Sequence, residues 1–201
     1  RGAAELLQEK MPEAERARFI DNIARESQRI QELVDRLLEL AALESRRRLD
    51  RMESIDLVRL AGDTLAAAQP LAHRRGVTLA LAPSEPITVE GDAFLLQRAL
   101  ANLLDNAIDF SPADETVEIS LRTTPRSTVI AVRDHGPGVP DYAVGKVFEK
   151  FYSLARPHSG KKSTGLGLSF VQEVAELHHG RVQLTNAPGG GVIAQLELPR
   201  D

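Results

Sequence analysis

Asn102-Leu103-Leu104-Asp105-Asn106-Ala107 is the stretch around which the rest of the sequence is organised. Its two asparagines are four residues apart, so a helix places both amides on one face. Upstream, Gly91-Asp92 predicts a helix start with Asp92 as the N-cap. A buried amide without a partner costs about 1–3 kcal/mol, so these amides either bond nearby polar groups or hold a ligand. The apolar face of the predicted helix consists of Leu95, Leu96, Ala99, Leu100, Leu103 and Leu104.

The composition is that of a globular protein. Of 201 residues, 42% are hydrophobic and 27% are charged, which is enough for one domain with an extension or for two small domains. The net charge is −4, so no basic field indicates nucleic acid as a partner. The absence of cysteine excludes disulfides and thiol chemistry. No apolar run exceeds four residues, which predicts no membrane-spanning helix in this sequence.

Residues 1–50 predict a helical hairpin. Arg1–Lys10 has a helical pattern that Pro12 ends, and a second helix is predicted at Glu13–Glu44. Its apolar positions alternate in steps of three and four, as in a coiled-coil seam. A long seam needs partners, so we predict a homodimer in which two hairpins form a four-helix bundle. The alternative is an amphipathic helix that packs on its own domain. The seam consists of Ile20, Ile23, Ser27, Ile30, Val34, Leu37 and Ala41.

A change in composition near Leu49–Glu53 predicts a domain boundary, and residues 54–201 read as a mixed α/β domain. Pro125-Arg126-Ser127 separates two strand patterns and predicts a hairpin. The predicted helices are Leu57–Ala72, the asparagine helix up to Phe110, and Gly165–His179. The predicted strands are Val77–Leu81, Thr88–Glu90, Val117–Leu121, Val129–Arg133, Arg181–Thr185 and Val192–Leu198.

A glycine-containing loop, Asp134-His135-Gly136-Pro137-Gly138, directly follows a predicted strand. Its two glycines allow positive φ and a close approach of the backbone to a ligand. A carboxylate at the end of a buried strand suits a hydrogen bond from an exocyclic amine, which adenine has at N6 and guanine replaces with a carbonyl. Considered alone, a tight turn with an aspartate cap explains the same residues.

A second glycine pair, Gly165 and Gly167, opens the last predicted helix. Free N–H groups at a helix start form an anion site, and Arg156 and two lysines precede this one. We therefore predict that residues 153–164 form a mobile lid that ends on a phosphate-binding turn. A plain glycine-rich N-cap is the alternative. The sequence contains no G-x-x-x-x-G-K-[ST], which excludes a P-loop.

In this order, the motifs resemble the N, G1, F and G2 boxes of sensor histidine kinases, the two-component signalling proteins with a GHKL (Bergerat) ATP-binding fold. The third box corresponds to Phe148-Glu149-Lys150-Phe151-Tyr152. The resemblance implies an α+β chain. Residues 1–50 would form the antiparallel hairpin for dimerisation and histidine phosphotransfer, and 54–201 the α/β sandwich with an ATP lid. Arg1–Leu7 and the last helix are most similar to carbon-source-responsive sensors of the CreC type.

Carried over position by position, the resemblance implies a Mg²⁺–ATP site. Asn106 would ligate Mg²⁺ through its amide oxygen, with Asn102 supporting the phosphates or the waters of the metal. Asp134 would bind the adenine amine, and Gly136 and Gly138 would let their loop approach. The other implied contacts are Phe110 and Val139 beside the base, Lys150 and Tyr152 facing the nucleotide, and Thr164, Gly165, Leu166, Gly167 and Leu168 around the phosphates.

Three positions depart from the family pattern. Asp109 stands where the family often has Lys or Arg, and a carboxylate there would repel a phosphate. We therefore expect Mg²⁺, or Lys161 and Lys162 of the lid, to neutralise the phosphate charge. Ser163 replaces a usual glycine and is expected to stiffen the lid, whereas Ser153 replaces a frequent arginine and removes one candidate phosphate ligand.

None of the five histidines lies in the phosphoacceptor pattern of the family, in which an acidic residue and a nearby proline follow the histidine. The resemblance places that histidine about three helical turns before Arg1. His178 and His179 end the last predicted helix and are expected to cap it. We therefore expect this chain to bind nucleotide and to dimerise, but not to phosphorylate itself.

The resemblance implies the cytoplasmic kinase core of a membrane-anchored, ATP-dependent protein-histidine kinase. The γ-phosphoryl group would pass to a histidine and then to an aspartate on a response regulator. Two alternatives remain open. One is a GHKL ATPase of the chaperone, topoisomerase or mismatch-repair kind. The other is a non-catalytic dimeric scaffold that docks a partner, which Asp109 favours.

Overall fold

The structure is a computed structural model that describes residues 12–46, 48–49, 51–157 and 163–200. The chain divides into two compact units between Ala41 and Ala42. The predicted helix at Arg1–Lys10 lies outside the described residues, as do Lys161 and Lys162. The domain limits 1–50 and 54–201 therefore stay a prediction.

Most of the described part of the first unit is helix α1, which has the predicted bounds Glu13–Glu44 and extends three residues beyond the unit. Glu13 and Glu15 in its first turn suit the positive end of the helix dipole. Part of the predicted seam is exposed, with 50% of Ile20 and 62% of Ile30 accessible to solvent. The seam is thus available to a second chain, and the dimer itself stays a prediction. No described helix has both the length and the apolar character needed to cross a membrane.

The second unit is an α/β sandwich in which helices pack on a mixed sheet, as predicted. Its strands are β1 (Glu53–Asp56), β2 (Thr78–Leu81), β3 (Thr88–Gly91), β4 (Thr116–Thr123), β5 (Ser127–Arg133), β6 (Arg181–Asn186) and β7 (Val192–Pro199). Its helices are α2 (Leu57–Arg75), α3 (Ala93–Phe110), the short α4 (Asp141–Val144) and α5 (Gly167–Leu177). The sequence patterns predicted neither β1 nor α4.

The main sheet has the strand order β2-β4-β5-β7-β6. Strands β2 and β4 run parallel, and the other neighbours are antiparallel. The predicted β4–β5 hairpin is confirmed, with Glu118 opposite Arg133. Strands β1 and β3 form a separate antiparallel pair. Because β5 is central and its residues Ser127–Val132 are buried, the loop that follows it begins deep in the unit.

Helix α2 is one turn longer than predicted. The Asp56 carboxylate accepts hydrogen bonds from the Val58 and Arg59 N–H groups at 2.9 and 3.1 Å and caps its start. The prediction ended this helix at Ala72, but the helix continues to Arg75 and stops at Gly76. Gly76 has φ 68°, the left-handed conformation in which glycine commonly ends helices. The additional turn places Arg75 beside the end of α3.

Helix α3 is the predicted asparagine helix, and Asp92 caps it by accepting the Leu95 N–H at 3.1 Å. Its six predicted apolar residues are all buried, and it ends at Phe110 as predicted. The Ser111 N–H donates to the Ala107 carbonyl and completes the last turn. Helix α3 therefore presents its asparagines from a fixed, well-packed element.

Helix α5 begins two residues later than predicted, at Gly167. Gly165 lies outside the helix with φ 68°, and its carbonyl accepts the Phe151 N–H at 2.9 Å. A Cβ on Gly165 would lie 2.5 Å from the Phe151 carbonyl carbon and 2.6 Å from the Tyr152 oxygen. Glycine is required here by backbone contact with another segment, rather than by the helix start.

Candidate functional site

A cleft in the second unit lies between α3, the loop after β5 and the segments on either side of residues 158–162. It brings together many of the predicted site residues. Those in its lining are Asn106, Phe110, Asp134, Gly138, Val139, Tyr152, Gly165, Gly167 and Leu168. Sequence reasoning missed the apolar floor from β6 and β7, which consists of Leu184, Val192 and Ala194. The alternation of these strands was the available signal for an inward-facing row.

Other predicted residues are described by the structure but do not line this cleft: Asn102, Gly136, Lys150, Thr164 and Leu166. Asn102 lies behind the start of α5, because a Cβ on Gly167 would come within 3.3 Å of its Oδ1. Its Nδ2 donates to the Arg98 carbonyl at 3.1 Å. Lys150, expected to face the nucleotide, forms an ion pair with Glu44.

Asp134 is buried at the end of β5, and its two carboxylate oxygens differ. Oδ1 accepts the Gly136 N–H at 2.8 Å and the Val192 N–H at 3.2 Å. Oδ2 accepts no hydrogen bond from any described residue. Burial raises the pKa of this carboxyl, opposed by the two backbone hydrogen bonds. One oxygen therefore holds the loop, and the other is available to a donor such as an exocyclic amine.

The loop after β5, residues 134–139, is held by close backbone contacts. A Cβ on Gly136 would lie 2.6 Å from the Phe110 carbonyl oxygen. The Asn186 amide binds the backbone of Val139 twice, accepting from its N–H at 2.7 Å and donating to its carbonyl at 2.8 Å. A Cβ on Gly138 would come within 2.9 Å of Asn186 Oδ1. No local pattern in the sequence marked Asn186.

The walls of the cleft suit a flat apolar ring. Val139, Ala143, Val147 and Val192 form a buried cluster. Partly buried hydrophobic residues pack against this cluster, among them Tyr152, Leu154, Leu168 and Leu184. An apolar slot with a few placed polar groups is the usual form of a small-molecule site. With Asp134 Oδ2 at its edge, this slot fits adenine.

Asn106 provides a polar group on the α3 side of the cleft. It is partly buried, and its amide forms no hydrogen bond with any described residue. An amide oxygen is a ligand that Mg²⁺ accepts. The N-terminus of α5 lies on the same cleft, and its N-cap residue Leu166 provides no side-chain hydrogen bond. Its N–H groups can therefore bind an anion, so the residues present fit a metal–nucleotide.

Asp109 is buried near the end of α3, and its charge is balanced by two arginines. Arg75 Nη2 lies 2.8 Å from Oδ1, and Arg156 Nη2 lies 2.6 Å from Oδ2. The expected repulsion of phosphate assumed an uncompensated carboxylate. The structure instead shows a carboxylate with both oxygens occupied.

His178 connects the end of α5 to the start of α3. As expected, it is the C-cap residue of α5, and its backbone N–H bonds the last turn. Its ring Nδ1 lies 2.7 Å from the Val174 carbonyl, and Nε2 accepts the Asp92 N–H at 3.0 Å. These contacts require the neutral ring with the proton on Nδ1, and burial lowers the pKa of His178.

Two family profiles match the chain. The profile described as "Histidine kinase-, DNA gyrase B-, and HSP90-like ATPase" matches residues 91–201. The profile described as "His Kinase A (phospho-acceptor) domain" matches residues 1–46.

Curated relatives match over the full length of this chain. Sensor protein CreC of Escherichia coli (strain K12) is 43% identical over 200 residues, which cover 100% of this chain and 42% of CreC. The probable sensor histidine kinase TcrY of Mycobacterium tuberculosis is 37% identical over 204 residues, with the same two coverages of 100% and 42%. The chain thus spans less than half the length of these relatives.

A solved structure gives the same result for the fold. Full-length ShkA in complex with AMPPNP superposes with a TM-score of 0.78 at 26% identity. The superposition covers 96% of this chain and 41% of ShkA. It therefore includes the described parts of both units.

Proposed function

Since this chain belongs to the family of histidine kinase-, DNA gyrase B- and HSP90-like ATPases and carries a His Kinase A segment in front, we propose that it is the kinase core of a two-component sensor histidine kinase. The core binds Mg²⁺–ATP in the cleft of the second unit. The observation that carries this proposal is a pair of polar groups on one apolar cleft, Asp134 Oδ2 and the Asn106 amide, neither of which bonds another described residue.

The loop after β5 selects the base. Asp134 Oδ2 accepts the exocyclic amine of adenine, while Oδ1 keeps the loop in place through the Gly136 and Val192 N–H groups. Guanine presents a carbonyl at the corresponding position, and this would face the carboxylate oxygen without a proton between them. The apolar cluster around Val139 and Tyr152 holds the ring.

The α3 side and the start of α5 bind the phosphates and the metal. When bound, ATP supplies the γ-phosphoryl group, and Mg²⁺ balances the charge of the phosphates. Asn106 holds the metal through its amide oxygen, and Asn102 lies behind the first turn of α5. The free N–H groups of Gly167 and Leu168 bind phosphate oxygens, with Gly165, Leu166 and Thr164 shaping the turn. Lys161 and Lys162 add positive charge.

The first unit supplies the dimer and the acceptor side of the reaction. The exposed seam of α1 packs against a second copy, because Ile20, Ile30, Val34 and Leu37 otherwise face solvent. A histidine in the longer protein receives the phosphoryl group and passes it to an aspartate of a response regulator. We place this core on the cytoplasmic side of a membrane-anchored parent, in keeping with the sensor proteins it resembles.

Two other functions would use the same fold. A GHKL ATPase of another class would turn over ATP steadily, and the His Kinase A match over residues 1–46 favours the kinase instead. A scaffold without nucleotide binding was suggested by Asp109, but both oxygens of that carboxylate are paired with arginines. Calorimetric titration with ATP distinguishes binding from its absence, and phosphate release measures steady turnover.

Asn106→Ala tests the proposed function directly. We expect the unmodified chain to bind ATP more tightly with Mg²⁺ than without it, and Asn106→Ala to lose that enhancement. One charge-assisted ligand contributes about 1.5–3 kcal/mol, which corresponds to roughly 10- to 100-fold in affinity. The measurement is calorimetric titration with ATP, with and without Mg²⁺.

Gln97→Ala is the matched control, because it removes an exposed amide from the same helix. Gln97→Ala should bind the same number of ATP equivalents as the unmodified chain, with the same affinity and the same response to Mg²⁺. No binding by the unmodified chain would contradict the proposed function. A Mg²⁺ response that survives in Asn106→Ala would contradict the role of this residue only.

A further inference from the structure

The three residues that depart from the family pattern meet at one side of the cleft. Ser153 and Ser163 line it, and Asp109 holds Arg156, which lies between them in sequence. We propose that Asp109 is a positioning residue for nucleotide binding. Through Arg156 it fixes the cleft wall, which we define as residues 152–154 and 163–165. This inference rests on the proposed function, because it concerns the affinity of the same cleft.

The ion pair between Asp109 and Arg156 joins the cleft wall to a rigid element. Asp109 belongs to α3 and is buried, whereas Arg156 is two residues beyond the wall segment 152–154. Arg156 Nη2 lies 2.6 Å from Asp109 Oδ2, which makes this a close ion pair. Removal of Arg156 would leave the buried Asp109 carboxylate paired with Arg75, and removal of Asp109 would leave the partly buried Arg156 guanidinium without this carboxylate. The contact therefore fixes where the chain leaves the wall.

A pair of serines closes the wall on its other side. The Ser163 N–H donates to Ser153 Oγ at 3.0 Å, and the two hydroxyl oxygens lie 2.8 Å apart. These bonds hold residue 163 against residue 153. Ser163, which stands where the family usually has glycine, and Ser153, which stands where it often has arginine, thus contact each other. The hydrogen bond between the Phe151 N–H and the Gly165 carbonyl joins the two segments of the wall a second time.

Because Arg75 also pairs with it, Asp109 contacts two arginines rather than one. Arg75 approaches Oδ1 from the last turn of α2 at 2.8 Å, so the carboxylate connects α2, α3 and the wall. Because each oxygen is paired with an arginine, Asp109 presents no uncompensated charge to a phosphate. The same geometry engages Arg156 with Asp109 and not with a ligand. Asp109 and Arg156 therefore affect nucleotide binding by fixing the shape of the cleft, rather than through direct electrostatic interaction with the nucleotide.

Arg156 contacts Asp109 through Nη2, and its Nε is buried without a hydrogen-bond partner among the described residues. A lysine at this position can supply a single donor to the same oxygen. Arg156→Lys should therefore retain the positioning, and Arg156→Gln should lose it. This pair of substitutions separates the ion pair from the mere presence of an arginine.

The experiment measures the affinities of AMP, ADP and ATP, with Mg²⁺, for Asp109→Asn, Arg156→Gln, Arg156→Lys and the Asp109→Asn/Arg156→Gln double variant. We expect Asp109→Asn and Arg156→Gln each to weaken all three nucleotides by about tenfold. The double variant should be no weaker than Asp109→Asn alone, because Asp109→Asn already breaks the contact that Arg156→Gln removes. Arg156→Lys should bind like the unmodified chain.

Arg59→Gln and Asp63→Asn provide the matched control. These residues form an exposed arginine–aspartate pair on α2, 3.9 Å apart, away from the cleft lining. Both variants should keep the unmodified affinities. Circular dichroism confirms that each variant is folded, and if Asp109→Asn does not fold, Arg156→Gln against Arg156→Lys decides the question.

The competing explanation makes the opposite prediction. If Asp109 acted by repelling phosphates, Asp109→Asn would strengthen binding, and the gain would grow from AMP to ATP with the number of charges. The positioning role would be overturned by that result. It would also be overturned if Asp109→Asn bound the nucleotides as tightly as the unmodified chain, or if the losses in the double variant were additive. Failure of the unmodified chain to bind any of the three nucleotides would overturn the proposed function, and this role with it.

Discussion

The loop after β5 and the cleft wall border the same cleft, but the wall relies more on pairs of side chains. The loop depends on close backbone approaches, such as Gly136 against the Phe110 carbonyl, and on the Asn186 amide. The wall also has a close backbone approach, at Gly165 against Phe151, but it depends in addition on the side-chain pairs Asp109–Arg156 and Ser153–Ser163. A backbone approach tolerates no added atom, whereas a side-chain pair can be replaced by another pair. We therefore expect the loop after β5 to tolerate substitution less well than the side-chain pairs of the wall.

Gly191→Ala should have the largest effect and tests whether backbone approach holds the loop. A Cβ on Gly191 would lie 1.9 Å from the Asp134 carbonyl oxygen, and its φ is 81°. We expect a loss of about 2–5 kcal/mol in unfolding free energy, from positive φ at 1–2 kcal/mol and overpacking at 1–3 kcal/mol. Urea unfolding measures it.

Gly189→Ala is the control for backbone conformation. Gly189 has a similar φ of 87°, but a Cβ there would meet nothing within 4 Å. It should lose only about 1–2 kcal/mol. Equal losses in the two variants would contradict the importance of the close approach.

Asp134→Asn should have the next largest effect, on affinity rather than on stability. Asparagine can keep the Oδ1 contacts with Gly136 and Val192, but it places an NH₂ group where we propose that Oδ2 accepts the adenine amine. We expect ATP affinity to fall by roughly 10- to 100-fold, the range of a hydrogen bond to a charged group at about 1.5–3 kcal/mol. The melting temperature should change little. A variant that binds ATP normally would remove Asp134 from base recognition.

His178 should produce the smallest effect, a dependence of stability on pH. Burial lowers its pKa below the ordinary 6.5, so the unfolded chain binds the proton more readily than the folded chain. The stabilisation is therefore complete above that ordinary pKa and is lost as the pH falls through the lower, folded value. Comparing unfolding free energies at pH 8 and pH 5.5 should show a larger fall for the unmodified chain than for His178→Gln. His73→Gln, an exposed histidine of α2, should behave like the unmodified chain.

The part of the fold that was predictable from sequence is the part with local signals. Asp92 predicted the start of α3, and the spacing of the leucines in α3 predicted its buried face. The G-x-G pairs marked the cleft, because close backbone approach requires glycine. Gly76 was also a local signal for the end of α2, but the prediction stopped at Ala72 and so lost Arg75.

The contacts that were not predictable join residues far apart in the chain. Nothing local to Asp109 indicates that Arg75 and Arg156 reach it, so the sequence suggested a carboxylate that would repel a phosphate. Asn186 binds Val139 across a comparable separation. Gly165 is a related case. The sequence correctly assigned it to the cleft, but glycine is needed there because of its contact with Phe151 and not because a helix starts there. Side-chain pairing depends on the finished fold.

The most direct test of the central claim is a calorimetric comparison of ATP and GTP with this chain in the presence of Mg²⁺. Asp134 and the apolar slot predict saturable binding of ATP with one nucleotide per chain, and an affinity for GTP at least about tenfold weaker. Equal affinities for ATP and GTP, or binding of neither nucleotide, would contradict the account.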